Sequence, residues 1–304
     1  MTIAAVFPGQ GAQSVGMLAE LAADFASVEA RFAEASEVLG FDLWRMVQDG
    51  PAEVLSATEN TQPILLTASA AIWDVWQQEA EPPAFVAGHS LGEYSALCCA
   101  GAIDFPQAVA LVRKRGELME AAVPRGQGAM AAVMGLEDAE VSACCDATDG
   151  VVVAANFNAP GQVVIAGEAA AVANAADACK TAGAKRAVLL DVSGPFHSPL
   201  MARARDEFAA ALADVELRMP AIPLVQNVDA GVAEDLTALR DKLLAQLSAP
   251  VLWSSSVTTM VDAGVDRFVE CGPGSVLAGL IRRISKATPT QGLATPDAMA
   301  VARS

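Results

Sequence analysis

Nucleophilic attack on a carbonyl needs an exposed hydroxyl or thiol and a base that takes its proton. The segment Gly88-His89-Ser90-Leu91-Gly92 supplies the first of these. An apolar run over 84–88 reads as a short buried strand, and residues 91–100 read as a helix. Strand, tight turn and helix form the setting of a nucleophile elbow, with Ser90 at the tip. The flanking glycines keep side chains away from its Oγ. The helix N-terminus offers free N–H groups and a positive dipole end to a developing oxyanion. In a chain with 23 glycines the string alone is weak, and an idle serine in a Gly-rich turn is the competing reading.

The base must come from two histidines, His89 and His197. His89 adjoins Ser90, and neighbouring side chains diverge on a sharp turn, so it is poorly placed. His197 lies in Ser193-Gly194-Pro195-Phe196-His197-Ser198-Pro199, a constrained loop. Two readings of it stand open, a general base or a satisfied structural histidine. No acid to orient the imidazole is evident. Asp191 is six residues away but on a strand, and a backbone carbonyl could do the same work.

The elements that must hold these residues alternate. A strand at Ile3–Phe7 ends at Pro8 and the turn Gly9-Gln10-Gly11, and helices follow over 16–38 and 62–79. The second is apolar almost all round, which predicts burial. Asp104 is a good N-cap, with Pro106 in the first turn of a helix running to about 123. Residues 128–192 change rhythm to β-α-β-β-α-β, the ferredoxin-like pattern, with a turn at Asn158-Ala159-Pro160-Gly161. After it the pattern gives helices over 199–213, 234–247 and 275–285, and strands over 222–228 and 267–270. The fold class is therefore α/β: a body with a mostly parallel sheet at 1–124 and 194–304, interrupted by a subdomain at 125–193. The stretch from 287, carrying Pro289 and Pro296, reads as loosely attached.

Composition narrows the function classes. The 304 residues carry 19 Lys and Arg against 36 Asp and Glu, a net charge of −17, which argues against general affinity for nucleic acid or anionic membrane. Hydrophobic residues make up 53%, enough for a large core without staples. The six cysteines include no Cys-x-x-Cys spacing, so no metal site or redox motif is indicated, and they read as small buried hydrophobes of a reducing compartment. Charge-free stretches at 150–167 and 243–261 are broken by proline and polar residues, unlike a spanning helix. The N-terminus lacks the basic region of a secretory signal, and a cytoplasmic protein is expected.

Several segments together resemble the malonyl-CoA:acyl-carrier-protein transacylases of type II fatty acid synthesis. They are FPGQGAQ at 7–13, GHSLGEYSAL at 88–97, RKRGELM at 113–119 and GAMAAVMG at 128–135. NFNAPGQVVIAG at 156–167, GPFHSPLM at 194–201 and VECGPGSVL at 269–277 extend the match over nearly the whole chain, in the family's order. The resemblance implies an α/β-hydrolase-like body with a ferredoxin-like insertion. It implies Ser90 as nucleophile, His197 as base, and the N–H groups of Gln10 and Leu91 as oxyanion hole. In the family a main-chain carbonyl orients the histidine, and the matching residue is Gln246. The turn at Gly9 fails as a nucleotide loop, since Ser14 stands where that motif needs glycine.

The resemblance also places Arg115 in the acyl pocket, where a guanidinium can hold a malonyl carboxylate through two parallel hydrogen bonds. Arg113 and Lys114 read as a solvated face. In related polyketide acyltransferases a bulky residue before the histidine and an aliphatic one after the serine accompany malonyl preference. Phe196 and Leu91 fit that pattern. Asn156 and Asn158 are implied as contacts of the pantetheine arm. The expected partners are malonyl-CoA and acyl carrier protein, with no resident cofactor and a monomeric enzyme. The family's carrier proteins are acidic, so docking on so acidic a chain needs a local basic patch. Lys185-Arg186 and Arg282-Arg283-Lys286 are the candidates, each with a solvated face as alternative. The competing functions are a thioesterase or esterase on the same fold, and a non-catalytic carrier-protein scaffold.

Overall fold

The computed structural model describes residues 2–303. Its first strand, β1 (Ile3–Phe7), is buried over its last four residues. The segment expected as one helix over 16–38 divides into α1 (Ala19–Asp24) and α2 (Ser27–Leu39). Two short helices unread in the sequence follow, α3 (Leu43–Asp49) and α4 (Ala52–Ser56). The next, α5 (Thr58–Trp76), is buried at all but two of its 19 positions. Then come β2 (Phe85–Gly88), α6 (Leu91–Cys99) and α7 (Phe105–Ala121). Asp104 occupies the N-cap position of α7, but its carboxylate caps nothing, because Arg218 binds both its oxygens at 3.1 and 3.2 Å.

The β-α-β-β-α-β segment comprises β3 (Gly128–Met134), α8 (Asp138–Asp146), β4 (Val152–Ala159), β5 (Gln162–Glu168), α9 (Ala169–Thr181) and β6 (Arg186–Leu189). A 3₁₀ turn at Pro199–Met201 then leads into α10 (Ala202–Ala213). The strand expected over 222–228 is only β7 (Leu224–Val225), and α11 (Leu236–Ala245) follows it. A helix missed in the Ser-rich stretch, α12 (Trp253–Asp262), buries Trp253, Val257 and Met260. After β8 (Arg267–Glu270) and α13 (Val276–Ile284) the chain does not loosen. It adds β9 (Thr290–Gly292) in parallel to β8 and ends in α14 (Pro296–Arg303), with Leu293 and Met299 buried. Pro289 stands before the edge strand, and Pro296 takes the first position of α14, where its missing N–H is not needed.

Two sheets result. The first is parallel throughout, in the order β7-β2-β1-β8-β9. Its side chains alternate between two cores: Ala5, Phe7, Val86 and Val269 face the α5–α6–α7 side, and Ala4, Val6, Ala87 and Phe268 face α12 and α13. The second sheet, β4-β5-β3-β6, is antiparallel throughout. One of its faces packs Val133, Val163 and Ile165 against α8 and α9. Its other face turns Met130, Val164 and Ala166 towards the body. Val251 fastens it there, exchanging backbone bonds of 2.9 Å with Ala155 and Phe157. The nucleophile turn, at the C-terminal end of β2, therefore lies between the parallel sheet and the open face of the antiparallel one.

Candidate active site

Ser90 has φ 53° and ψ −109°, a conformation forced by the sharp reversal from β2 into α6. The flanking glycines are required by packing as well as by the turn. A Cβ on Gly88 would lie 1.9 Å from the backbone of Gly92, and one on Gly92 would lie 2.0 Å from the carbonyl oxygen of Phe7. The elbow is thus pressed onto the end of β1. Asn227, just beyond β7, staples it: Ser90 N–H donates to Asn227 Oδ1 at 2.8 Å, and Asn227 Nδ2 donates to Gly88 O at 2.7 Å.

Ser90 Oγ stands 2.7 Å from His197 Nε2. His197 Nδ1 donates to the main-chain carbonyl of Gln246 at 2.8 Å. That bond leaves Nε2 as the acceptor that faces the serine. Asp191, the nearest acid in sequence, is exposed and takes no part. Burial, and then the nearby Arg115 guanidinium, push His197 down to about 3, so the ring is neutral and ready to accept a proton.

Arg115 comes from α7 and is 1% exposed. Its Nη1 donates to Gln62 Oε1 and its Nη2 to Gln246 Oε1, each at 2.9 Å, and Nη2 also reaches Ser90 Oγ at 3.3 Å. Its guanidinium carbon lies 5.1 Å from the centre of the Tyr94 ring, a cation–π contact. Nε is buried without a partner. Among the described residues the groups in contact with this cation are all neutral, and a cation so placed beside a serine can receive an anion. Arg113, expected on a solvated face, is instead drawn in by Glu117, Asn60 and the Phe41 ring, while Lys114 stays exposed.

A cavity of about 230 Å³ opens over these groups, lined in part by Gln10, Ser90, Leu91, Arg115, Phe196 and His197. Gln10 and Leu91 make no protein hydrogen bond through their amide N–H among the described residues, so both donors are free. Asn156 and Asn158 line it from β4, with Gln162 and Val164 from β5. Asn158 Oδ1 lies 2.7 Å from His89 Nε2, so the second histidine ties the elbow to the antiparallel sheet, its ring packed on Trp253. The far wall is α13, whose first turn is held by Glu270: its two carboxylate oxygens accept from Leu277 and Ala278 N–H at 2.9 and 2.8 Å. Gln246 stands behind the cavity, fully buried.

Lys185 and Arg186 lie outside the cavity lining, at the start of β6. The strand register nonetheless puts Arg186 and Val188 on the same face of the sheet as Met130 and Val164, which do line it. Of the other basic group, Arg283 is already engaged, donating to Gln162 Oε1 at 2.6 Å and to Pro160 O at 3.3 Å. Three site residues escape the sequence reading: Gln62, Glu93 and Asn227. The visible signal was polarity within apolar elements, for Gln62 in α5 and for Glu93 in α6.

The chain has relatives over nearly its whole length. The model of the acyl transferase domain family matches residues 5–297. The chain is 54% identical over 300 residues to the malonyl CoA-acyl carrier protein transacylase of Escherichia coli K12, covering 98% of this chain and 97% of that one. It is 41% identical to the protein of the same name from Bacillus subtilis, covering 99% and 96%. The crystal structure of an acyl carrier protein S-malonyltransferase from Vibrio cholerae superposes with a TM-score of 0.97 at 53% identity, over 99% of this chain and all of that one. A malonyl-transacylase solved in complex with a type II polyketide synthase acyl-carrier protein also superposes with a TM-score of 0.97, at 50% identity over 99% of both chains. The chain belongs to the acyl transferase domain family, among the malonyl CoA-acyl carrier protein transacylases.

Proposed function

We infer that this chain moves the malonyl group from malonyl-CoA to the phosphopantetheine thiol of acyl carrier protein in fatty acid biosynthesis. Ser90 Oγ attacks the thioester carbonyl while His197 Nε2 takes its proton, and the N–H groups of Gln10 and Leu91 receive the oxyanion. Collapse expels the CoA thiolate, which takes the proton from His197, leaving a malonyl ester on Ser90. The carrier-protein thiol then loses its proton to His197 and attacks that ester, and the proton returns to Ser90 as it leaves. Charge and atoms balance in each half, so the transfer as written calls on no metal or redox group.

The observation that carries this reading is Arg115 Nη2, 3.3 Å from Ser90 Oγ, in a site where no carboxylate of the described residues hydrogen-bonds the cation directly. A malonyl carboxylate on Arg115 sets its thioester carbon against the serine, and an uncharged acyl group leaves the guanidinium unpaired. Phe196, buried and in the cavity wall, limits space beside the malonyl methylene. Asn156 and Asn158 line the way in for the pantetheine arm, with Lys185 and Arg186 as the carrier-protein contact. The enzyme is taken to work in the cytoplasm, in keeping with six free cysteines, and as a monomer. Its body is 1–124 with 194–304 and its insertion 125–193.

The test is malonyl transfer itself. Purified chain with malonyl-CoA and carrier protein bearing phosphopantetheine should form malonyl-carrier protein, and carrier protein without the prosthetic group should stay unmodified. Release of CoA with no loaded carrier would point to a hydrolase, and no reaction at all to a scaffold.

A further inference from the structure

Glu93 is the third residue of α6 and is fully buried. Its Oε2 accepts from the backbone N–H of Asn227 at 2.8 Å and from Gln246 Nε2 at 3.1 Å, and its Oε1 accepts from Gln226 Nε2 at 3.3 Å. Each of these partners holds something else. Asn227 Oδ1 accepts the N–H of Ser90. Gln246 Nε2 also donates to Ser90 O at 2.9 Å, its Oε1 accepts from Arg115, and its carbonyl accepts from His197. One carboxylate therefore supports, from behind, the Ser90 turn through Asn227 and, through Gln246, both His197 and the Arg115 guanidinium.

Its charge matters as much as its hydrogen bonds. Among the described residues Arg115 bonds Gln62, Gln246 and Ser90 and stacks on the Tyr94 ring, so its counter-charge in the empty site lies one amide away, at Glu93. The titratable and charged groups around Glu93 are Arg115 on α7, the Tyr94 phenol, which donates to Leu243 O at 3.3 Å, and His197 beyond Gln246. Gln226 and Asn227, after β7, do not titrate. A further detail concerns Gln226: its Oε1 is buried without a partner, and its Nε2 makes only long bonds, to Glu93 at 3.3 Å and to Leu239 O at 3.4 Å. Turned over, the same amide would present Oε1 to Glu93 as an acceptor. A proton on Glu93 Oε1 would then have an acceptor in Gln226, at the cost of the Gln226 bond to Leu239 O.

We propose that Glu93 is a positioning residue and a proton-accepting counter-charge: its ionised form balances Arg115 through Gln246 while the pocket is empty, and it takes a proton on Oε1 when the carboxylate of the acyl group occupies Arg115. This rests on the malonyl ester forming on Ser90 as inferred above. Burial raises Glu93 to about 7, with its three donors and Arg115 pulling the other way. A second anion on Arg115 cancels that last pull, and the carboxyl rises further, drawing a proton from solvent. The acyl transfer contributes no proton of its own near neutrality, because the one lost by Ser90 leaves on the CoA thiol.

The experiment follows a pH indicator in weakly buffered solution while wild-type protein and excess malonyl-CoA react, with the adduct counted by intact mass. Uptake of a fraction of a proton per adduct should be greatest near pH 7, about where Glu93 titrates in the empty pocket, with less at pH 5 and at pH 9. Folded Glu93→Gln should form its adduct with no uptake. If that variant does not fold, the pH dependence in the wild type decides alone. An adduct without proton uptake near pH 7, uptake that does not change with pH, or uptake that persists in Glu93→Gln would overturn the proposal. Failure to form any adduct would overturn instead the reading of Ser90 on which it rests, and the proposal with it.

Discussion

Ser90 and His197, whose Oγ and Nε2 are 2.7 Å apart, both sit at positive φ, 53° and 58°. Each lies in a turn closed by close backbone packing: the elbow is pressed on β1, and the histidine loop is pinned where Ser198 Oγ donates to Pro195 O at 2.6 Å. Two side-chain-bearing residues in this region cost on the order of 1–3 kcal/mol each. The fold bears that cost to bring the dyad together before substrate arrives. Ser90→Gly should therefore be more stable than Ser90→Ala by about 1 kcal/mol, since glycine adopts this conformation freely and the hydroxyl is absent from both. Denaturant titration of the two variants measures it. Equal stability would show that the elbow is unstrained.

Arg115→Ala should lower kcat/KM for malonyl-CoA on the order of 100-fold, the loss expected when one member of a buried, hydrogen-bonded charge pair is removed, at about 1.4 kcal/mol per tenfold. Activity on acetyl-CoA should fall less or rise, because no cation is then left unpaired. Arg115→Lys should recover only part of the rate, having a point charge in place of a fork. An unchanged malonyl-CoA rate in Arg115→Ala would remove the carboxylate clamp from the mechanism.

With His197 held down to about 3, the rate of Ser90 acylation should show no acid limb near the ordinary histidine value of 6.5. Stability follows with a definite sign. Below 6.5 the unfolded chain binds a proton at this histidine that the folded one refuses, so its contribution is intact above 6.5 and is lost as pH falls towards 3. Glu93 and Glu270, both raised to about 7 chiefly by burial, act in the opposite sense: their contribution is full below 4.5 and is lost as pH rises through 7. A pH–rate profile on malonyl-CoA that breaks near 6.5, and keeps that break in Glu93→Gln, would contradict a neutral His197; a break near 7 that Glu93→Gln abolishes would belong to the carboxylate.

Lys185→Glu with Arg186→Glu should slow transfer to carrier protein several-fold and leave acylation by malonyl-CoA unaltered, since neither residue lines the cavity. Added salt should weaken the wild type's carrier-protein reaction, because exposed charges are screened within about 8 Å. Equal losses in both half-reactions would move the docking surface elsewhere, and Arg283 is a weak second choice while it holds the turn at Pro160.

Much of the architecture could be read from periodicity, and the places where reading failed have common physical causes. The helix α12 was obscured by Ser254–Ser256, whose polarity suggests a loop, although Ser256 Oγ simply bonds back to Leu252 O in the preceding turn. The prolines beyond 287 suggest a loose tail, yet they sit before an edge strand and at a helix start. Asp104 has the right type for a cap, but its partner Arg218 is 114 residues away. Ser90 stands out by a local motif and His197 by the scarcity of histidine, whereas Arg115 is singled out only by the family resemblance. Glu93, Gln62 and Asn227 act through contacts that join α6, α5 and the segment after β7, and no local pattern encodes such a meeting.

The central claim is a malonyl ester on Ser90, and intact mass after brief incubation with malonyl-CoA tests it most directly. Wild-type protein should gain a single malonyl group, lose it on addition of carrier protein bearing phosphopantetheine, and show no gain as Ser90→Ala. CoA release without any adduct, or an adduct that survives in Ser90→Ala, would contradict the account.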